Sequence, residues 1–238
     1  MKLRVSTDRK TANSVTKGGN VNIANAFGLP AGDNYSCPGA TSECEPICYA
    51  GKLERIFKGM RVNVTHNFDL VKDANGRAIM RLLDEMVTEF EQACEKKNAR
   101  KLFRIHHDGD FFRLRYSAAW RGVMLKHPNV QFWAYTRSFH LVRSLADTPN
   151  LTLYLSVDEV NLNDAIECYA ANPWVKLAAL GKTFDDAKAL LTAMGVKGAR
   201  CPELNGALPL ISPEGSACAR CGLCIFGRGN VLFSSSKK

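Results

Sequence analysis

The chain has 238 residues, of which 46% are hydrophobic and 23% charged, so it can bury a substantial core without disulfide cross-links. No uninterrupted run of 18 apolar residues occurs, which excludes an ordinary membrane-spanning helix, and the first ten residues lack the apolar stretch of a signal peptide. We therefore expect a cytoplasmic protein whose nine cysteines stay reduced. Its net charge of +9 favours a polyanionic partner such as nucleic acid, although a basic protein without such a partner carries the same charge.

A first group of cysteines lies near the beginning of the chain and consists of Cys37, Cys44 and Cys48. Three thiolates within twelve residues can wrap one face of a [4Fe–4S] cubane and leave one iron free to bind a cofactor. They can also bind zinc or copper(I), and zinc would take His66 or His107 as its fourth ligand. The residues Pro38, Gly39 and Pro46 predict an irregular loop rather than a helix, with backbone N–H groups directed at the sulfurs.

From residue 77 onward the hydrophobic pattern alternates between helices and strands. We predict helices over 77–97, 116–126, 139–145, 162–171 and 184–194. We predict strands over 101–106, 130–136, 151–157, 175–180 and 196–200, with a further strand over 20–27. This alternation is typical of an α/β protein with a parallel sheet, and it favours a partial (β/α)6-type barrel over residues 1–200. An open doubly wound sheet is the alternative, although the chain lacks the glycine motifs of nucleotide-binding folds.

Ligands of parallel-sheet proteins gather at the carboxyl ends of the strands. Those ends carry His107, Asp108 and Asp110; Thr136 and Arg137; Ser156 and Asp158; Gly181 and Lys182; and Arg200 with Cys201. Because Cys201 follows a predicted strand directly, we expect it to bring the later cysteines to the same edge of the sheet as the first group.

The turn after the strand at 101–106 reads His-His-Asp-Gly-Asp. His106 and His107 are adjacent and point to opposite faces of a strand, so both cannot readily bind one metal ion. Gly109 predicts a tight turn, after which Asp110 would cap the next helix. Alternatively, His107, Asp108 and Asp110 would form the centre of a metal-dependent hydrolase or nuclease.

The second cysteine group, in the predicted extension over 201–238, consists of Cys201, Cys218, Cys221 and Cys224. Four thiolates at this spacing predict a closed metal site, which holds either a [4Fe–4S] cluster or zinc. The remaining cysteines, Cys94 and Cys168, lie in helical patterns and are expected to be packed thiols.

A cysteine-rich loop before a series of βα units, with a Gly-acidic turn after the next strand, resembles the radical S-adenosylmethionine superfamily, whose usual cysteine loop is shorter. The resemblance implies a [4Fe–4S] cluster on the first cysteine group and S-adenosylmethionine on its open iron. It places Gly109 and Asp110 at the cofactor's amino group, Tyr49 near the cluster, and Arg137 or Ser156 at the carboxylate or ribose. The second cysteine group corresponds to an auxiliary cluster.

The runs Cys-Pro-Gly-Ala at 37–40, Cys-Tyr-Ala at 48–50 and Gly-Asp-Phe-Phe at 109–112 also resemble a poorly characterised family of phage-encoded proteins. Together the two resemblances imply an enzyme in the host cell cytoplasm that makes a 5′-deoxyadenosyl radical for hydrogen abstraction. It would receive electrons from a donor such as flavodoxin or ferredoxin, and nucleobases of phage DNA are the preferred substrate. A zinc-stabilised nucleic-acid-binding protein without catalysis is the principal alternative.

Overall fold

A computed structural model describes residues 1–11, 13–16 and 19–236. The helices are α1 (Cys44–Ile47), α2 (Tyr49–Ile56), α3 (Lys58–Val71), α4 (Gly76–Lys96), α5 (Leu114–Lys126), α6 (Leu162–Ala171), α7 (Phe184–Ala193) and α8 (Ala217–Cys221), with a 3₁₀ helix over Phe139–Leu145. The strands are β1 (Asn13–Thr16), β2 (Gly19–Asn22), β3 (Ala26–Gly28), β4 (Leu102–Asp108), β5 (Gln131–Thr136), β6 (Leu151–Val157), β7 (Lys176–Gly181), β8 (Gly198–Arg200), β9 (Ile211–Ser212), β10 (Gly215–Ser216) and β11 (Asn230–Ser234).

Seven strands form one sheet in the order β3-β4-β5-β6-β7-β11-β8, and every neighbouring pair in it is parallel. The other four strands form two antiparallel pairs, β1 with β2 and β9 with β10. This arrangement confirms the predicted α/β class with a parallel sheet. The strand predicted over 20–27 is divided between β2 and β3.

The two faces of the sheet are covered by different parts of the chain, because alternate residues of each strand point to opposite faces. Phe103 and Phe132 belong to the main core, which also contains Trp120 of α5 and buried residues of α4, α6 and α7. On the opposite face Trp133 packs against Ile225 of the C-terminal segment. The helices between the strands thus cover one face, unlike the helices of a doubly wound sheet, and the second cysteine group lies against the other.

Local sequence signals explain where the helices beside the sheet begin. At the start of α4 the Asn75 side chain accepts a hydrogen bond of 2.9 Å from the Ala78 N–H, as an N-cap residue does. At the start of α7, Thr183 and Asp186 form a reciprocal capping box. No helix in the described ranges is both long and apolar enough to cross a bilayer.

The strands β4 to β7 lie within two residues of their predicted bounds, but three features differ from the prediction. Cys44 begins the short helix α1 and Tyr49 begins α2, so the cysteine loop is partly helical. The helix α3 was not predicted. The segment after residue 200, expected to be a metal-binding extension, supplies β11, which lies inside the main sheet between β7 and β8. Residues 237 and 238 of that extension lie outside the described residues.

Candidate functional site

The loop that carries Cys37 packs against the carboxyl edge of the sheet through two glycines. Gly109 has a φ of +81°, and a Cβ atom there would lie 2.8 Å from the Leu29 Cβ and still closer to the Ser36 hydroxyl. A Cβ atom on Gly39 would lie 2.6 Å from the carbonyl carbon of Arg137. Only glycine permits either approach, so the turn after β4 and the end of β5 hold the loop in place.

A buried carboxylate fastens the same loop to the end of β6. Asp158 is 1% exposed, and its Oδ2 accepts a hydrogen bond of 2.7 Å from the Thr41 hydroxyl. The same oxygen accepts bonds of 3.3 and 3.1 Å from Nε and Nη2 of Arg137. Its Oδ1 accepts from the backbone N–H groups of Val160 and Asn161. The Arg137 side chain, expected to hold a cofactor carboxylate or ribose, is therefore already paired with Asp158.

Asp110 holds the end of β5 and does not cap α5, contrary to the sequence prediction. Its Oδ1 accepts hydrogen bonds from the Thr136 hydroxyl at 2.7 Å and from the Phe111 N–H at 2.6 Å. Its Oδ2 accepts from the Arg137 N–H at 2.7 Å. The next helix begins at Leu114, and its first turn has no side-chain cap. Because both carboxylate oxygens have protein partners, Asp110 positions the site and has little capacity to bind an added group.

Two sulfurs of the first cysteine group accept hydrogen bonds from backbone N–H groups, one from the loop, as its sequence predicted, and one from α2. The Thr41 N–H donates to Cys44 Sγ at 3.2 Å, and the Gly51 N–H donates to Cys48 Sγ at 3.4 Å. Burial raises the pKa of the Cys48 thiol, and nearby Cys44 adds to that increase. Burial also raises the pKa of Cys37 far above its usual range, with further contributions from the charges of Asp110, Asp108 and Cys48. The thiols of Cys37 and Cys48 are therefore protonated in the free protein, and a metal would displace their protons.

Asp108 is the carboxyl group beside this loop that has free acceptor capacity. It is 2% exposed, and neither of its carboxyl oxygens accepts a hydrogen bond from a donor in the described residues. Burial raises its pKa to about 9, and the neighbouring carboxyl of Glu54 in α2 contributes to the increase. Glu54 in turn accepts a hydrogen bond of 2.8 Å from the Ala31 N–H. Two carboxyl groups thus lie together near Cys37 and Cys48.

His106 and His107 lie on opposite sides of the sheet, as their adjacent positions predicted. The ring of His106 packs 4.7 Å from that of Phe111, and its Nε2 is 2.8 Å from the Tyr116 hydroxyl. Burial lowers its pKa to about 3. His107 lies against Gly28, where a Cβ atom would be 2.5 Å from its Nε2, and burial followed by the Arg104 charge lowers its pKa to about 4. Both imidazoles are neutral at pH 7, and they are not ligands of one ion.

Arg104 is a buried cation on the open face of β4, which the sequence analysis did not include in the site. Its side chain is 13% exposed and is ion-paired through Nη1 with Asp8. Its Nη2 donates a hydrogen bond of 3.1 Å to the Tyr49 hydroxyl, and the guanidinium carbon lies 5.7 Å from the centroid of the Tyr135 ring. Tyr49 itself donates at 2.7 Å to the His107 carbonyl. An arginine within an otherwise apolar strand pattern is the signal that could have identified this residue.

The second cysteine group surrounds one small cavity on the open face of the sheet. The cavity is lined by Cys201, Cys218, Cys221 and Cys224, together with Glu203 and Val231. Burial raises the pKa of Cys218 to about 12 and that of Cys224 to about 11. The Cys218 N–H donates a hydrogen bond of 3.0 Å to the Lys10 carbonyl, which ties the group to the N-terminal segment. The αL conformation of Gly222, with a φ of +66°, turns the chain between Cys221 and Cys224.

The structure also places three further residues discussed in the sequence analysis, Ser156, Cys94 and Cys168. Ser156 lies on the open face of β6, two residues from Tyr154, and its carbonyl accepts a hydrogen bond of 3.0 Å from the Asn161 side chain. Cys94 is fully buried in the helix-side core, and Cys168 packs against that core, as expected of packed thiols. Within the described residues, no three His, Cys, Asp or Glu side chains converge as the ligands of a single metal ion do.

Comparison with known proteins places the chain among phage gene products. It is 47% identical over 245 residues to the Gene 88 protein of Mycobacterium phage L5, covering 100% of this chain and 99% of that protein. It is 46% identical over 243 residues to the Gene 88 protein of Mycobacterium phage D29, covering 99% of each. No solved structure matches the chain. The model of the Gene product 88 family matches residues 1–227, and the chain therefore belongs to that family.

Proposed function

We propose that the protein is an iron–sulfur enzyme of the radical S-adenosylmethionine type. The observation that carries this proposal is the attachment of the first cysteine group to the carboxyl edge of a parallel sheet. Gly39, Gly109 and the Thr41–Asp158 hydrogen bond fix the loop where ligands of such sheets bind. The consecutive order of β3 to β7, with helices on one face, is also what a partial (β/α)6-type barrel requires. We propose that barrel as the finer description of the fold.

The donor chemistry of both cysteine groups fits iron–sulfur clusters. Cys37, Cys44 and Cys48 supply three soft ligands and leave one iron open, whereas the second group supplies four. Thiolates on a cubane each bind a different iron, so they need not converge on one point as the ligands of a single zinc ion must. The lack of such convergence among the described residues is therefore compatible with a cluster in each group.

Cys37, Cys44 and Cys48 would hold the cluster, which together with S-adenosylmethionine would supply radical chemistry for hydrogen abstraction from the substrate. The protein contributes binding, orientation and exclusion of water. Asp108 and Glu54 are suited to bind the cofactor's ammonium group, because their carboxyl groups interact with each other near the loop. In the described residues, neither Asp108 oxygen accepts a hydrogen bond of normal geometry. They take the role that the sequence resemblance gave to Asp110, whose oxygens are already occupied. The Gly109 turn holds the loop beside them.

The open face of the sheet is suited to hold the substrate between the two cysteine groups. Arg104, paired with Asp8, lines that face, and Ser156 offers a hydroxyl at the carboxyl end of β6. Arg137 acts through Asp158 as a residue that positions the loop. The net charge of +9 and the phage relatives favour nucleobases of phage DNA as substrate and the host cytoplasm as the place of action. The enzyme would require a reducing partner such as flavodoxin or ferredoxin.

The test is the iron, sulfide and zinc content of anaerobically purified protein, compared with a Cys37→Ala/Cys44→Ala/Cys48→Ala variant. We expect about eight irons with matching sulfide, falling to about four in the variant. We also expect S-adenosylmethionine to bind the wild-type protein and not the variant. About two zinc ions and no iron would overturn the proposal and favour a zinc-stabilised nucleic-acid-binding protein.

The metal-dependent hydrolase gains no support from the geometry of the turn. His107, Asp108 and Asp110 were its expected ligands, but both oxygens of Asp110 are held by the end of β5. An Asp110→Asn variant separates the two ideas. In a hydrolase, this variant would lose activity, and substitution of the cysteines would affect folding alone. In the radical enzyme, the variant would lose the alignment of the cysteine loop.

A further inference from the structure

A half-exposed aromatic ring between two arginines lies beside the second cysteine group. The guanidinium carbons of Arg100 and Arg228 each lie 5.3 Å from the centroid of the Phe226 ring. Phe226 is 37% exposed, and both arginines are exposed. We call Arg100, Phe226 and Arg228 the Phe226 surface. It joins the segment before β4 to the segment that leads into β11.

The Phe226 surface lies next to the cysteines both in sequence and in space. Phe226 is two residues from Cys224, and its ring packs over Gly222, where a Cβ atom would lie 3.1 Å from the ring. Arg100 Nη1 donates a hydrogen bond of 3.4 Å to the Ala219 carbonyl in the helix that carries Cys218 and Cys221. A molecule bound to the Phe226 surface would therefore lie only a few residues from the thiols.

The positive charge of this surface is not neutralised locally. Neither Arg100 nor Arg228 forms an ion pair with any carboxylate of the described residues. The neighbouring acidic residues are engaged elsewhere, since Glu91 and Glu95 pair with Lys101 next to Arg100. The surface therefore presents two uncompensated cations around an apolar ring, which is complementary to an acidic surface with an apolar centre.

The arrangement suits an acidic protein better than a nucleic acid. A nucleobase binds an aromatic side chain by stacking on its π-face, but two guanidinium groups already lie over the Phe226 ring. Nucleic acids are also held by long rows of phosphate contacts, whereas this surface offers two arginines around one ring. Carboxylates at the rim of a protein contact can pair with both guanidinium groups while the ring edge enters the centre.

We propose that the Phe226 surface docks an acidic redox carrier protein next to the second cysteine group. This inference rests on the proposed function for the kind of partner, but the docking itself depends only on charge and shape. Arginine and aromatic side chains are the residues that carry most of the binding energy at protein interfaces, and Arg100, Phe226 and Arg228 supply both.

The test measures the affinity of the full-length, anaerobically purified protein for a flavodoxin and, separately, for a labelled DNA duplex, at low and high salt. The variant Arg100→Glu/Arg228→Glu is compared with Arg81→Glu/Lys188→Glu, which makes the same charge change at exposed positions on α4 and α7. We expect the first variant to bind flavodoxin at least about tenfold more weakly and the second less than about twofold more weakly. High salt should weaken wild-type binding and reduce the difference between the variants.

A single Arg228→Glu variant tests whether weaker flavodoxin binding results only from loss of the Arg100–Ala219 hydrogen bond. Because this variant keeps that bond, it should still show most of the loss of flavodoxin affinity. Equal flavodoxin binding by both double variants, or no flavodoxin binding at all, would overturn the inference. So would a selective loss of DNA binding in the Arg100→Glu/Arg228→Glu protein. Iron and sulfide are measured on the same samples. Iron without flavodoxin binding would refute only the docking surface, whereas zinc without iron would refute the proposed function whatever the binding result.

Discussion

The Nη2 of Arg104 donates a hydrogen bond of 3.1 Å to the hydroxyl of Tyr49, the residue that directly follows Cys48. The positive charge of Arg104 also acts on the second cysteine group, where it opposes the increase that burial causes in the pKa of Cys218. One side chain of β4 therefore lies between the two cysteine groups and acts on both. The open face of the sheet at Arg104 is the region that a substrate placed between two metal centres would occupy.

Replacing Arg104 with methionine should destabilise the protein by about 3 kcal/mol, because Asp8 would remain buried without its charge partner. Burial acts to raise the pKa of Asp8, but the Arg104 charge and the Lys10 N–H hold it below its usual value. Urea unfolding of the metal-free protein at pH 7 measures the loss.

A double variant, Asp8→Asn/Arg104→Met, should recover part of that stability because no unpaired charge remains. Lys72→Met is the matched control, since it breaks the exposed Lys72–Asp69 pair and should change the stability much less. An Arg104→Met protein as stable as this control would show that the buried pair contributes nothing.

His106 should make the protein less stable as the pH falls. Its folded-state pKa of about 3 lies below the ordinary value of about 6.5, so between these values the unfolded chain binds a proton that the folded protein does not. The contribution to the free energy of unfolding should fall by about 2 kcal/mol between pH 7 and pH 5. The variant His106→Asn tolerates the φ of +60° at this position and should lose this part of the pH dependence. Identical slopes for both proteins would contradict the burial of a neutral imidazole.

Adding one methyl group at Gly39 should displace the cysteine loop, because the new Cβ would collide with the Arg137 backbone. We expect Gly39→Ala to lose about four irons per chain, if the proposed cluster is present, and to expose Cys37 to faster alkylation in the metal-free protein. Gly59→Ala is the control, since no atom lies within 4 Å of a Cβ at that helical position. Mass spectrometry after brief alkylation compares the two. Equal labelling of Cys37 would show that the loop does not need the close approach.

Asp108→Asn should stabilise the metal-free protein while weakening binding of S-adenosylmethionine to the loaded protein. An acid whose folded-state pKa is raised to about 9 destabilises the fold above its unfolded value of about 3.9, because only the unfolded chain loses its proton there. Removing the titration should add about 2 to 4 kcal/mol of stability at pH 7. Thermal unfolding and equilibrium dialysis measure the two effects. A destabilised variant with unchanged affinity would assign Asp108 to the structure and not to ligand binding.

The sequence predicted the sheet well where its strands are nearly continuous apolar runs. The strands β5 and β6 are such runs, and the helices α4 and α6 carry a clear periodicity of apolar residues. The helix α3 was missed because its sequence mixes buried Val64 with exposed Val62 and polar residues, so no apolar face is evident. The strand β11 was missed because it is short, follows a glycine-rich segment and pairs with a strand about fifty residues earlier.

The two groups of cysteines could be recognised as candidate metal ligands from their spacing. The different roles of the acidic residues near them could not be predicted. Asp108 and Asp110 lie on either side of Gly109. Because both are aspartates, the sequence alone does not show which one forms hydrogen bonds with the rest of the protein. The answer depends on Thr136 and Arg137, which a crossover connection brings to Asp110 from β5. Glu54 was overlooked for the same reason, since its proximity to Asp108 depends on the packing of α2 against β4.

The position of β11 sets the order in which the chain can be completed during synthesis. Among the described residues, β8 pairs with the sheet through β11 alone, so neither β8 nor the adjoining edge of β7 has its partner until β11 has been synthesised. By then Cys218, Cys221 and Cys224 have already emerged and must pass to the open face as β11 enters the sheet. Placement of the second cysteine group on the open face and closure of the sheet are therefore coupled. A chain that lacks β11 would keep an unpaired strand edge, which favours degradation or aggregation.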